Sequence, residues 1–157
     1  MLVREIMSER LAAISCDATL DEAAHMMLGL GLDALLVMDG ETLAGIIGLR
    51  DLFTAPFSAS LVTGVPIRRT EHELRAVWNS QTLRNQMTDQ VLTVPEELPV
   101  MEAAALMANL GKHPLPVVRA GNVVGTIDRR DIVRALLGQP LQAAVTPANH
   151  AVNGARA

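Results

Sequence analysis

Apolar and polar positions along the chain follow two periods, and the switch between them happens twice in the same order. A short apolar stretch, Leu11–Ser15, reads as a strand. Leu20, Ala23, Ala24, Met27 and Leu28 then recur at helical spacing, which predicts a helix over Leu20–Leu30. Thr19 is placed to cap it, Glu22 completes a capping box three residues on, and Gly31 can end it. After that, ALLVM and LAGII flank the turn pair Asp39-Gly40 as a hairpin, and a last helix begins near Arg50. The second half repeats this order. It has a strand at Val91–Val94 and a helix over Val100–Leu110 that opens behind Pro99 and closes at Gly111. The hairpin LPVV/VVGTI turns through Ala120-Gly121-Asn122, and a helix from about Arg129 runs to about Leu137.

The residues repeat as well as the pattern. Positions 3–53 align with 83–133 without a gap, with identities at Arg4/Arg84, Met7/Met87, Glu22/Glu102, Gly45/Gly125, Arg50/Arg130 and Asp51/Asp131 among others. One register held over that length marks an internal duplication of a β-α-β-β-α unit. Between the halves, TAPFSASLVTGVPIRRT reads as loop, and EHELRAVWNSQTLRNQM as helix with Leu74, Val77 and Trp78 on one face. The tail has few large apolar residues and no period, and is expected to be mostly disordered. The expected organisation is a first repeat over 1–54, a linker with a helix over 55–82, a second repeat over 83–138 and a tail over 139–157.

Composition narrows the function classes. At 157 residues, 50% hydrophobic, the chain can bury a sizeable core. It carries two Phe, one Trp and no Tyr, and its net charge is −4 with the basic residues scattered, which argues against a nucleic-acid surface. The lone Cys16 rules out an internal disulfide framework and fits a reducing compartment. Arg4, Glu5, Glu9 and Arg10 interrupt any signal-like apolar run, and Asp33 breaks the longest apolar stretch. A soluble, cytoplasmic protein is expected. Nothing points to catalysis: His25, His72, His113 and His150 share no metal-ligand spacing with Cys16 or one another, and no glycine-rich phosphate loop or Ser-His-Asp set occurs. Cys16 has no basic neighbour in sequence, so it reads as an inert thiol, and the methionines read as core and dimer surface.

The succession T-L-D-E-A-A-H-M-M … A-L-L-V … G-E-T-L-A-G-I-I-G-L-R-D-L, with its counterpart V-M-E-A-A-A-L-M … H-P-L-P-V-V … G-N-V-V-G-T-I-D-R-R-D-I, resembles the CBS domain. The tandem resembles the paired unit called a Bateman module, over about residues 2–137. The resemblance implies an α+β fold of two pseudo-twofold-related repeats packed through their sheets. It implies junction clefts that bind AMP, ADP, ATP, S-adenosylmethionine or NAD(H), with no required cofactor; the composition and the interrupted apolar runs, not the resemblance, are what speak against a membrane or a nucleic-acid partner. It also implies a homodimer that regulates a separate protein rather than an enzyme.

The family's ligand signature runs Gly, two apolar residues, Ser or Thr, two variable residues, then Asp. Asp51 and Asp131 match its ribose-binding acid, while Gly48 and Asp128 stand where it has a hydroxyl. Each has a plainer reading. Asp51 and Asp131 suit a first helical turn, Asp128 is a good N-cap that would oppose a phosphate, and Gly48 leaves its helix start bare. Arg50, Arg129 and Arg130 fall in first turns that disfavour cations. They serve either as phosphate partners or, neutralised by neighbouring acids, reach into solvent. Thr93 matches a position near the ligand, and Ile14, Leu35, Val94 and Leu115 would supply an aliphatic adenine face. Two rivals remain: a ligand-free dimerisation or scaffold module with decayed sites, and a weaker one, an oxidation or metal sensor using Cys16 or the methionines.

Overall fold

The computed structural model describes residues 1–58, 63–66 and 68–140, so the expected disordered tail lies outside the described residues from position 141 onward. Two three-stranded sheets organise the chain. The first contains β1 (Ala13–Ser15), β2 (Ala34–Asp39) and β3 (Thr42–Gly48), with β1 parallel and β3 antiparallel to β2. The second contains β4 (Val94–Pro95), β5 (Leu115–Arg119) and β6 (Asn122–Ile127) in the same arrangement. Helix α1 (Leu20–Leu30) makes the crossover between the parallel strands of the first sheet, and α2 (Leu49–Thr54) follows β3. After the linker helix α3 (Glu71–Ser80) and the short α4 (Leu83–Gln86), α5 (Val100–Leu110) and α6 (Arg129–Leu136) occupy the equivalent places in the second half. Even the register shift falls at matching positions, between Val37 and Met38 and between Val117 and Val118.

The local signals explain these ends. Thr19 Oγ1 accepts from Glu22 N at 3.2 Å while Glu22 Oε2 accepts from Thr19 N at 2.7 Å, and Gly31 closes α1 at φ +63°. The first strand of each sheet is shorter than the apolar pattern predicts, and ahead of β4 the chain is still turning where Val91 N donates to Asp89 O at 3.1 Å. The helix expected to continue through residues 71–87 is broken at Gln81 and Thr82, both extended, where Leu20 N donates to Gln81 O at 3.1 Å. Before the break, α3 covers α1. Arg75 pairs with Asp21 at 2.9 Å, and Trp78 Nε1 donates to Leu52 O at 3.0 Å.

The break serves an exchange between the halves. Leu83, fully buried, completes the first core with Leu20, Met27, Leu35, Val37, Ile47 and Leu52. The second core, built on Val100, Met107, Leu115, Val117 and Ile127, is completed by Val3, Ile6 and Met7 from the start of the chain. The alignment groups residues 3–8 with the first half, yet their side chains fill the second. Backbone bonds follow the same exchange: Val3 N to Leu98 O and Leu83 N to Ala18 O, each at 2.9 Å. Ser8 trades two bonds with Thr126, and Thr88 two with Ile46. This close approach explains one pair of matched glycines. A Cβ on Gly45 would stand 2.7 Å from Thr88 O, and one on Gly125 would stand 2.7 Å from Ser8 O. Among the described residues no helix is long and apolar enough to cross a membrane.

Candidate functional site

In each half the hairpin's second strand delivers a turn into a helix, and the signature acid folds back onto that turn. Asp51 Oδ2 accepts from Gly48 N and Asp131 Oδ2 from Asp128 N, both at 2.8 Å. Burial pushes both carboxyls above their ordinary range, and the backbone bond opposes that push without cancelling it. Among the described residues the second oxygen of each carboxylate accepts no hydrogen bond, which leaves it available to a ligand hydroxyl.

The two helix starts differ beside this shared motif. Asp128 caps α6, its Oδ1 accepting from Arg129 N at 2.6 Å, while His113 Nδ1 stands 3.6 Å from the same oxygen. Gly48 was expected to leave its helix start bare. Instead Gly48 N is held by Asp51, and Leu49 N donates to the Asp33 carbonyl at 3.0 Å, because the chain entering β2 passes alongside. Asp33 also joins the halves: its carboxylate takes Arg130 Nη2 at 3.4 Å. Asp33 therefore touches both halves: its carbonyl accepts from the first turn of α2, and its carboxylate faces the guanidinium that Arg130 extends from α6.

Of the residues singled out from the sequence, Gly48, Asp51, Asp128, Arg130 and Asp131 belong to this contact network. Arg50 lies in the first turn of α2 with its side chain exposed, and Arg129 shares a shallow groove of about 300 Å³ with Arg130, Val133 and Arg134. Thr93 is exposed just ahead of β4. The residues of the expected aliphatic face are mostly buried. Leu35 and Leu115, each 1% exposed, lie inside the two cores because inward-facing strand positions are consumed by the helices packed on them, and Val94 is buried likewise. Ile14 borders a second groove with Ala13, Ser15, Met38 and Gly40, at the hairpin end of the sheet and away from Gly48. Asp33 and His113, not singled out from the sequence as site residues, join the same contact network. The available signal was the break Asp33 makes in an apolar run, together with its alignment to His113.

Cys16 also gains a partner the linear sequence hides: Arg84 Nη2 lies 2.7 Å from its Sγ and 3.2 Å from Asp17 Oδ1. Burial nevertheless holds the thiol above its ordinary range against the pull of the guanidinium. No three His, Cys, Asp or Glu side chains among the described residues are grouped to hold a metal ion.

The family model described as the CBS domain matches this chain twice, at residues 3–58 and 82–138. The chain belongs to the CBS-domain family. A CBS domain-containing protein of Dictyostelium discoideum is 32% identical over 139 residues, spanning 87% of this chain and 92% of that protein. The CBS domain of a membrane protein from Sphaerobacter thermophilus is 30% identical at a TM-score of 0.66, covering 85% of this chain and 86% of the other. The CBS domain pair of MJ0100 was solved with 5′-methylthioadenosine and S-adenosylmethionine. It is 26% identical at a TM-score of 0.66, covering 88% of this chain and 97% of that one. CBS domain proteins are in general regulatory modules rather than catalysts. The two matched segments correspond to the two sheets with their helices, so the paired-repeat architecture is that of a CBS pair.

Proposed function

We propose that this CBS pair is a non-catalytic regulatory module that binds an adenosine-containing ligand where its two repeats meet and passes occupancy to a partner protein. The observation that carries this reading is Asp33, which bonds the first signature turn and pairs with Arg130 of the second, with the outer oxygens of Asp51 and Asp131 available for ribose hydroxyls. The ligands of the MJ0100 pair support the same class. A ligand held by both turns would favour one angle between the repeats, and it shifts that equilibrium only by its differential affinity for the two states. The module acts in the cytoplasm as a homodimer. Phe53, Leu28, Val133, Leu136 and Leu137 leave apolar helix surface for a second copy to cover, 54–78% exposed each.

Thermal unfolding of the intact protein with adenosine ligands tests this reading. At about a hundred times the dissociation constant a ligand adds roughly 2.7 kcal/mol, a rise of roughly 5–10 °C for a chain of this size. Asp51→Ala or Asp131→Ala should abolish the rise. A ligand-free scaffold is the second reading, favoured by one observation: the protein's own oxygens already occupy the donors at both helix starts. It predicts no rise with any ligand.

A further inference from the structure

We infer that the junction selects by charge. It takes an adenosine whose 5′ substituent is uncharged or cationic, a thioether or sulfonium nucleoside, and turns phosphorylated nucleotides away. This rests on the adenosine-binding reading above and narrows it. A phosphate at a helix start is held by backbone N–H groups that lack an acceptor. Here the leading donors are committed. Gly48 N is bonded to Asp51 Oδ2, Leu49 N to the Asp33 carbonyl, Asp128 N to Asp131 Oδ2 and Arg129 N to Asp128 Oδ1. Three of those four acceptors are carboxylate oxygens, so an arriving phosphate would have to displace like charge.

The arginines do not restore the balance. Arg130 is engaged by Asp33 at 3.4 Å, and Arg50 and Arg129 extend exposed guanidinium groups that water and salt screen. Asp128, whose charge no arginine pairs among the described residues, would instead attract a sulfonium or an ammonium tail. A thioether leaves that carboxylate undisturbed, and the ribose hydroxyls donate to the outer oxygens of Asp51 and Asp131. Because 5′-methylthioadenosine and AMP differ only at the 5′ substituent, the pair isolates this discrimination.

The test is calorimetric titration of the intact protein with 5′-methylthioadenosine, S-adenosylmethionine, AMP and ATP. The first two should bind about tenfold or more tightly than the phosphates. Asp128→Ser keeps a capping oxygen and removes the charge, so it should tighten AMP about three- to tenfold while the 5′-methylthioadenosine constant holds. Phosphates that bind as tightly as the thioether, or an AMP constant unmoved in Asp128→Ser, overturn the charge selection and leave adenosine binding standing. Binding by none of the four overturns the adenosine reading itself, and this inference with it.

Discussion

The two crossing segments, residues 2–8 and 82–88, make the same backbone contacts but hold their charges the opposite way round. Arg4 N donates to Glu96 O and Arg84 N to Cys16 O, both at 2.9 Å. In the first repeat the arginine sits on the crossing segment, and its guanidinium reaches Asp39 at the end of β2 (3.1 Å) and the Cys16 sulfur. In the second repeat the strand end carries the arginine instead. Arg119 grips the buried Glu96 through both carboxylate oxygens, with Arg4 adding only a weaker attraction. An acid–arginine pair near the matching strand end is thus kept while its polarity is reversed. One consequence is mechanical: burial and backbone bonds tie down both segments, and the 82–88 segment adds a side-chain ion pair to the half it crosses into. Duplication has preserved the frame of the contact, and each half has found its own chemistry within it.

The largest test of this comparison is removal of residues 1–8. It strips Val3, Ile6 and Met7 from the second core, a loss of roughly 5–9 kcal/mol at about 1.5–3 kcal/mol per side chain. Trp78, the one tryptophan, packs against the first core, so its emission should stay native-like while far-UV dichroism loses the second repeat. Coincident loss of both signals would show that the two cores unfold as one unit. Leu83→Ala makes the reciprocal cut and should cost about 2–5 kcal/mol, moving the Trp78 denaturation midpoint first.

Smaller effects sharpen the symmetry. Gly45→Ala and Gly125→Ala each drive a methyl against a backbone carbonyl of the crossing segment. Each should cost about 1–3 kcal/mol by urea denaturation, and nearly the same in both halves. The smallest effect is in the acid limb. Arg119 holds Glu96 below its ordinary 4.5, so its stabilisation is present above that value and lost as pH falls through the folded pKa. Burial raises Asp51 and Asp131 above 3.8, so the stability they contribute is complete below that value and lost as pH rises through theirs. Denaturation midpoints measured across the acid range should therefore respond in opposite senses. Glu96→Gln removes part of the acid-side loss, and Asp131→Asn removes part of the loss on raising pH.

The frame of the molecule was readable because its signals are local. Thr19 with Glu22, the glycines Gly31 and Gly111, and the Asp39-Gly40 turn each act within a few residues of themselves. The Asp128 cap was readable for the same reason. The exchange of segments was not. Alignment shows that Met7 and Met87 are equivalent, but equivalence is silent about which core either one fills. Asp33 is not legible because its partners, Leu49 and Arg130, lie far along the chain, and the burial of Leu35 and Leu115 is not legible because an inward strand position looks the same whether a ligand or a helix covers it.

The crossing segments also order events during synthesis. The first core closes once Leu83 has left the ribosome, whereas Val3, Ile6 and Met7, made before Leu83, have no core to enter until Ile132 exists. At about 5–20 residues per second that interval lasts roughly 6–25 s. For that time residues 3–7 wait with three apolar side chains uncovered, and it is the arrival of α6, more than a hundred residues later, that lets them dock.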